Sequence, residues 1–158
     1  MHDTPDPASL ARALPYGAYL LDGVATAGQP NEAQFDQIGA AGYRAVVDLR
    51  PASEPRGCDE RAAIERAGMR YVELPVTAAT LTDAHFDRMR ELLRDPSNRP
   101  VLVHCASANR VGALMLPYLV LDEGQPMPDA FRMAQSIGMR SAELAQMAAD
   151  YVRRHADG

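Results

Sequence analysis

The segment PVLVHCASANRVG, at residues 100 to 112, contains the clearest structural pattern of the sequence. Its apolar run, Val101–Val103, is preceded by turn-like residues at 95 to 100 and is therefore typical of a short buried strand. Helix-compatible residues return from Gly112 onward. We therefore predict a strand, a tight loop and a helix that begins at about Val111.

Cys105 lies at the junction between the predicted strand and the predicted helix. Backbone N–H groups at such a junction, together with the positive end of the helix dipole, favour a thiolate and can hold an anion. Arg110 adds a permanently charged planar fork that can grip two oxygens of a phosphate-like group. Taken alone, these residues are also compatible with a buried structural thiol and a surface cation. Their combination in one loop favours a catalytic site.

The composition indicates one domain with a proper core, because 47% of the 158 residues are apolar. The formal net charge is −5 and no run of basic residues occurs, so we expect neither a nucleic-acid partner nor binding to an anionic membrane. The N-terminus has no basic start followed by an apolar stretch, and no segment approaches transmembrane length. These features predict a cytoplasmic protein.

The two cysteines, Cys58 and Cys105, are too few for a disulfide scaffold, which agrees with a reducing compartment. Cys58 lies in a polar segment at residues 54 to 60. It is either a resolving thiol for an oxidised Cys105 or unrelated to that residue. We expect no metal site at His104 and Cys105, because adjacent residues of a strand face opposite sides.

Strand and helix patterns alternate along the chain, which predicts an α/β fold: a single domain with a mainly parallel sheet flanked by helices. We expect residues 1 to 15, rich in Pro and Asp, to be a loose lead-in, and residues 16 to 158 to form the domain. In such sheets the site lies at the carboxyl ends of the strands, so the loops after Leu49 and Val76 are expected near Cys105. Residues 19–27 are predicted to form one or two short strands, and residues 44–49, 70–76 and 101–103 are each predicted to form one strand.

The motif and its flanking segments resemble those of the cysteine-dependent protein tyrosine and dual-specificity phosphatases, whose signature is His-Cys, five further residues, Arg and then Ser or Thr. The match looks closest to a bacterial branch, the phosphatase-like domain that is also found fused in beta-lactamase-hydrolase-like proteins. The segments that carry the resemblance are residues 28–30, 46–50 with Glu54, 73–76, and 101–105 with Arg110.

The resemblance implies a dual-specificity-phosphatase-like fold and hydrolysis of phosphate monoesters through a phosphocysteine on Cys105, without a cofactor. His104 would orient the loop and help to hold the thiolate, or would only be packed and hydrogen-bonded at the strand end. The implied partner is a phosphorylated small molecule or a phosphoprotein. The phosphoryl group would be bound by Arg110 and by the backbone N–H groups of Ala106, Ser107, Ala108 and Asn109.

The sequence departs from the family pattern in the length of the loop. Only four residues separate Cys105 from Arg110, which matches the active loop of rhodanese-type sulfurtransferases. If the loop is a rough ring, removing one step of about 3.8 Å reduces its radius by about 0.6 Å. A smaller ring disfavours a whole phosphate and still admits a single sulfur atom. A sulfurtransferase that works through a Cys105 persulfide, with a sulfur donor as partner, is therefore the second hypothesis.

Two further departures concern residues that assist the phosphatase reaction. Val111 replaces the Ser or Thr whose hydroxyl helps the cysteine to leave, so the resemblance implies a slow second step. Residues 77 to 80 are Thr-Ala-Ala-Thr where the family has an Asp general acid. Asp83 is the nearest carboxylate and the candidate acid, although its place in a first helical turn also explains it structurally. A third hypothesis is a phosphate-binding or redox-sensing module that turns nothing over.

Overall fold

The computed structural model describes residues 6 to 156. The strands are β1 (Ala18–Leu21), β2 (Val24–Ala27), β3 (Ala45–Asp48), β4 (Arg70–Glu73) and β5 (Val101–His104). The helices are α1 (Pro7–Ala13), α2 (Glu32–Ala40), α3 (Glu60–Arg66), α4 (Asp83–Arg94), α5 (Asn109–Leu121), α6 (Met127–Ile137) and α7 (Ala142–His155), with one 3-10 turn at Pro96–Asn98. None of the helices between residues 6 and 156 is long and apolar enough to cross a membrane.

The five strands form one sheet in the order β1-β2-β5-β3-β4, with β5 in the middle. Strands β2, β3, β4 and β5 are parallel, and β1 runs antiparallel to β2. His104 of β5 aligns with Ala27 on one side and with Asp48 on the other, so these three strands end at the same level. The residues that follow them therefore meet at the carboxyl edge of the sheet.

Both faces of the sheet are covered by apolar helix surfaces. Within β5, Val101 and Val103 belong to one core cluster and Leu102 to the other, because successive side chains of a strand face opposite sides. The larger cluster joins the sheet to α4, α5, α6 and α7, and the smaller one joins it to α1, α2 and α3. Burial on both faces explains why residues 101 to 103 of β5 are a continuous apolar run in the sequence.

The predicted α/β architecture is confirmed, and the main difference lies at the N-terminus. Residues 7 to 13, which we expected to belong to a loose lead-in, form α1, and Leu10 of this helix is buried. The Asp6 side chain caps the helix, and Pro7 occupies its first position. Asp and Pro suggest a turn, but the same pair is favoured at a helix start. Residues 1 to 5 of the predicted lead-in lie outside the described residues.

Helix α5 fixes the position of the loop that precedes it. It begins at Asn109, slightly earlier than predicted, and continues as one helix through Pro117. Every residue from Val111 to Leu119 is buried, and the helix packs against α4, α6 and α7. The end of β5 and the start of α5 are therefore both held by the core.

Gly112 allows α5 to lie close to α6, since a Cβ atom there would be 2.7 Å from the carbonyl oxygen of Ala134. We expect Gly112→Ala to lower the free energy of unfolding by about 2 kcal/mol, although alanine is the better helix former. Denaturant unfolding measures the change. The control is Asp36→Ala at an exposed position of α2, which should stay within about 0.5 kcal/mol of wild type. A Gly112→Ala protein as stable as wild type would contradict this close packing.

Candidate active site

The loop from Cys105 to Arg110 leaves the buried end of β5 and enters the first turn of α5. Cys105 is only 1% exposed. Ala108, which precedes α5, has the left-handed φ of 65°. Among the hydrogen bonds formed within residues 6 to 156, none has a backbone N–H of residues 106 to 110 as its donor. These free N–H groups at the start of a helix are suited to binding an anion.

The residues after β2 hold the loop from one side. The N–H of Gln29 donates to the carbonyl oxygen of Ala106 at 3.1 Å, and the N–H of Cys105 faces the carbonyl oxygen of Ala27 at 3.4 Å. Gly28 makes this approach possible, because a Cβ at that position would lie 2.7 Å from the Ala106 carbonyl oxygen. The Gly-Gln pair that contributed to the family resemblance therefore supports the loop.

Arg110 is fixed by acceptors on two neighbouring loops. Its Nη1 and Nη2 donate to the two carboxylate oxygens of Glu54 at 2.8 and 2.9 Å, and Nη1 also donates to the carbonyl oxygen of Val76 at 3.1 Å. These contacts use three of the five guanidinium N–H groups. The Nε–H and the second Nη2–H remain, and they lie along one edge of the guanidinium plane. Such an edge matches two oxygens of a tetrahedral oxyanion.

Glu54 is in turn held by a second arginine. Arg50 donates from Nε to Glu54 at 3.0 Å and from Nη1 to the Gln29 side-chain oxygen at 2.8 Å. The hydrogen bond from Arg110 lowers the pKa of Glu54, although partial burial opposes it. The same hydrogen bond raises the pKa of Arg110, and the nearby Cys105 sulfur acts in the same direction. Glu54 and Arg110 therefore stabilise each other's charged forms.

His104 lies fully buried directly before the loop. Its Nε2 is hydrogen-bonded to the Glu60 carboxylate and lies 3.7 Å from Asp48, while its Nδ1 is 3.3 Å from the carbonyl oxygen of Cys105. The other Glu60 oxygen accepts from the Gln29 side chain at 2.9 Å. His104 thus contacts the backbone of Cys105, and its predicted part in holding the thiolate stays a prediction.

Asp48 completes this buried network. It accepts hydrogen bonds from Arg56 Nε at 2.7 Å and from the Tyr71 hydroxyl at 2.6 Å. Burial alone raises the pKa of Asp48, but electrostatic attraction to His104 and these hydrogen bonds lower it below its ordinary value. Ligand atoms of Asp48, Glu60 and His104 also lie within 4.8 Å of one another, as in a metal site. Arg56 Nε lies 2.7 Å from the Asp48 carboxylate and 3.7 Å from the Glu60 carboxylate, so the positive charge that these carboxylates face is a side chain. An ion-pair network therefore explains the cluster.

The side chains of the loop hold a second segment, residues 138 to 141. Asn109 Oδ1 accepts from the backbone N–H of Arg140 at 2.7 Å and from that of Ser141 at 3.2 Å. Ser107 Oγ accepts from Arg140 Nη2 at 2.6 Å. Ser107 and Asn109 therefore use their side chains within the protein and leave their backbone N–H groups free.

Two candidate residues have their contacts elsewhere. Asp83 forms an ion pair with Arg154 of α7, which lowers the pKa of Asp83 and favours the form that cannot donate a proton. Its role as general acid stays a prediction.

Cys58 lines a cavity of about 380 Å³, whose lining residues do not include Cys105, and burial raises the pKa of its thiol. Its role as a resolving thiol also stays a prediction.

Sequence reasoning missed the buried charged network that supports the start of the loop. Asp48 gave a usable signal, because a carboxylate at the end of a buried strand requires a partner. Glu60 gave none, since an acidic residue in a first helical turn is explained by the helix dipole alone. Glu54 was singled out by the resemblance, but its contact with Arg110 depends on how two distant loops meet.

Glu54 links the charge of Arg110 to the stability of the fold. Because its pKa is lowered in the folded protein, its ionised form stabilises the fold above its ordinary pKa of 4.5, and this contribution is lost as the pH falls through the lowered value. We expect Glu54→Gln to unfold more easily than wild type at about pH 7, with a smaller difference at about pH 3. Denaturant unfolding at both pH values measures this.

The control for this comparison is Glu91→Gln, because the Glu91 side chain is 58% exposed in its pair with Arg88. This variant should keep the pH dependence of wild type, since exposed pairs contribute little. An equal gap between Glu54→Gln and wild type at both pH values would contradict the proposed charge coupling.

Comparison with known proteins shows the family of the chain. A family profile described as DSP-PTPase phosphatase fused to NAD+ Kinase matches residues 23 to 151. The chain is also similar to a beta-lactamase hydrolase-like protein of Xylella fastidiosa, with 37% identity over 97 residues. That match covers 59% of this chain and 22% of the relative, so the chain corresponds to about a fifth of that protein's length.

Solved structures share the fold. A candidate phosphatase (DUF442) from Shewanella putrefaciens CN-32 has a TM-score of 0.78 at 22% identity, covering 92% of this chain and 97% of that one. A variant of P. aeruginosa TpbA in complex with pTyr has a TM-score of 0.68 at 23% identity, covering 87% and 83%. Because the family profile spans the chain from the turn before β2 into α7 and includes the whole loop, the chain belongs to the DSP-PTPase family described as phosphatase fused to NAD+ kinase, within the cysteine phosphatase superfamily.

Proposed function

We propose that this protein hydrolyses phosphate monoesters through a phosphocysteine on Cys105. The observation that carries the proposal is the orientation of Arg110, whose contacts with Glu54 and Val76 leave one edge of two N–H donors free. The free N–H groups of residues 106 to 110 add further donors. Together they match the oxygens of a transferring phosphoryl group. Membership in the phosphatase superfamily supports a hydrolase that acts on phosphate esters.

The reaction has two steps. The Cys105 thiolate attacks phosphorus, so that an S–P bond forms while the P–O bond to the alcohol breaks. The alcohol leaves with the electron pair of that bond and takes up a proton. Arg110 and the loop N–H groups bind the other phosphoryl oxygens and stabilise the charge that develops on them. Water then attacks the phosphocysteine, which releases inorganic phosphate and restores the thiolate.

The leaving group determines which substrates react well. Residues 77 to 80 contain no carboxylate, and Asp83 would have to leave its ion pair with Arg154 before it could carry a proton. Aryl phosphates, whose alcohols leave readily without protonation, should therefore react fastest. Val111 provides no hydroxyl to assist departure of the cysteine, so the second step is expected to limit turnover.

The proposed substrates are phosphorylated small molecules or phosphoproteins. The TpbA complex with pTyr supports an aryl phosphate as the first test substrate. The proposal includes a bacterial, cytoplasmic setting. Its support is that both Cys58 and Cys105 are free thiols, as is usual in a reducing compartment, and that the relative from Xylella is bacterial.

Sulfur transfer is the second candidate, and the short loop is the observation that favours it. Four residues separate Cys105 from Arg110, and Ala108 adopts a left-handed φ within this short connection. In this reaction the thiolate would attack the outer sulfur of a donor such as thiosulfate, forming an S–S bond and releasing sulfite. Cyanide or a thiol would then take the sulfur. The comparisons name phosphatases, so phosphate hydrolysis is the first proposal.

Substitution of the two central residues tests the proposal. We expect Cys105→Ser to abolish phosphate release from 4-nitrophenyl phosphate, because the thiolate nucleophile is lost. Arg110→Lys should lower kcat/KM by about 100-fold or more, since lysine cannot form two parallel hydrogen bonds. Steady-state release of nitrophenol measures both effects.

The matched control is Arg132→Lys, at an arginine of α6 whose side chain is 70% exposed, and it should keep wild-type activity. Thiosulfate and cyanide are assayed in parallel. Full phosphatase activity in Cys105→Ser would refute the proposal. Thiocyanate formation that requires Cys105, without phosphatase activity, would establish sulfur transfer instead.

A further inference from the structure

Arg140 lies beside the Cys105–Arg110 loop and carries a charge that no described carboxylate neutralises. Its Nη2 donates to Ser107 Oγ at 2.6 Å, and its Nη1 donates to the carbonyl oxygens of Ser107 at 3.3 Å and Gly138 at 3.0 Å. All three acceptors are neutral. Within residues 6 to 156, no Asp or Glu oxygen lies within 4.0 Å of the Arg140 side-chain nitrogens.

The remaining donors of Arg140 form an open edge. Three of its five N–H groups are used by Ser107 and Gly138. The Nε–H and one Nη2–H have no acceptor within the described part of the chain. In Arg110, too, the Nε–H and one Nη2–H are the donors not used by Glu54 and Val76. Arg110, at the end of the loop, and Arg140, in contact with Ser107 of the loop, therefore each have a pair of N–H donors that suits an anion.

Tyr16 borders the loop next to Arg140. Its ring centroid lies 5.9 Å from the Arg140 guanidinium carbon, within the range of a cation–π contact, and the residue is 59% exposed. Its φ of 54° is uncommon for a residue other than glycine. A Cβ atom at Gly28 would be 2.9 Å from the Tyr16 ring and 2.7 Å from the carbonyl oxygen of Ala106. The ring and the loop therefore approach the same backbone position.

We propose that Arg140 and Tyr16 form a second anion subsite beside the phosphate-binding loop, and that the substrate is a phosphate monoester with a second anionic group close to the scissile phosphate. This inference rests on the proposed phosphatase function. The proposal requires that, with the scissile phosphate on Arg110 and the loop, a carboxylate or phosphate on the leaving alcohol contacts the open edge of Arg140, whose side chain is hydrogen-bonded to Ser107 of the same loop. Tyr16 holds the guanidinium in place through the cation–π contact.

Support of the neighbouring backbone does not by itself account for this arginine. The segment from Gly138 to Ser141 is already held by Asn109, which accepts from the backbone N–H groups of Arg140 and Ser141. The guanidinium adds an unpaired positive charge at the edge of the loop. The chain as a whole has a net charge of −5, so an anionic substrate needs local positive charge in order to bind, and the Arg140 guanidinium supplies it.

Three aryl phosphates test the subsite. The first, 3-carboxyphenyl phosphate, carries a second anion, whereas 3-carbamoylphenyl phosphate has nearly the same size without that charge. The third, 1,3-phenylene bisphosphate, supplies the second anion as a phosphate. We expect wild type to prefer at least one doubly anionic substrate over the carbamoyl compound by about fivefold in kcat/KM at low salt. The preference should shrink as the salt concentration rises.

Arg140→Gln should reduce this preference to about one, and Arg140→Lys should retain part of it. The ratio of the two kcat/KM values is informative because damage to the loop slows both substrates equally. Tyr16→Ala should lower the ratio, and Tyr16→Phe should keep it. The control Arg132→Gln should show the ratio of wild type.

A preference for only one of the two doubly anionic substrates supports the subsite and identifies its ligand as a carboxylate or a phosphate. Equal kcat/KM for charged and uncharged substrates in wild type, or a preference that survives Arg140→Gln, overturns the subsite and leaves the phosphatase proposal intact. Failure to turn over any of the three compounds, or turnover that survives Cys105→Ser, overturns the proposed function and the inference that rests on it.

Discussion

The bidentate ion pair between Glu54 and Arg110 is the contact on which the geometry of the site depends. It joins the loop after β3 to the first turn of α5, across 56 residues of sequence. Without it the guanidinium would be a flexible side chain, whereas with it one edge of the group is fixed. Arg50 connects this pair to Gln29, and the backbone of Gln29 bonds to the loop at Ala106. Three loops at the carboxyl edge of the sheet thus hold one another.

Buried charge supports the start of the loop. The parallel register of β3 and β5 places Asp48 beside His104, and Glu60 approaches from α3. Isolated charges at such depth would be strongly destabilising, so the cluster requires complete pairing. Arg56 and the hydroxyl of Tyr71 complete it. The same register that builds the apolar core therefore brings these side chains together at His104, the residue before Cys105.

The fold and the central loop could be predicted from the sequence. Strands β3 and β5 are buried on both faces, so their segments are mainly apolar. Asn31 and Gln34 form a capping box, which marks the start of α2. The partners of Arg110 could not, since no local pattern specifies which strands are neighbours. Helix α1 was missed because Asp followed by Pro fits a turn and a helix start alike. Arg140 was missed for a third reason: it reaches the loop only through the packing of α5 against α6.

The loop between Cys105 and Arg110 has four residues, as in rhodanese-type sulfurtransferases, whereas the phosphatase signature has five. The two reactions proposed for Cys105 differ in the group that the cysteine accepts. Mass spectrometry of the intact protein, rapidly quenched after mixing with an aryl phosphate or with thiosulfate, measures which group the cysteine accepts. We predict a mass increase of one phosphoryl group in the wild-type protein, accumulating because Val111 offers no hydroxyl for the second step, and no such increase in Cys105→Ser. A single added sulfur atom without any phosphoryl adduct, or a phosphoryl adduct that persists in Cys105→Ser, would contradict phosphate hydrolysis through Cys105.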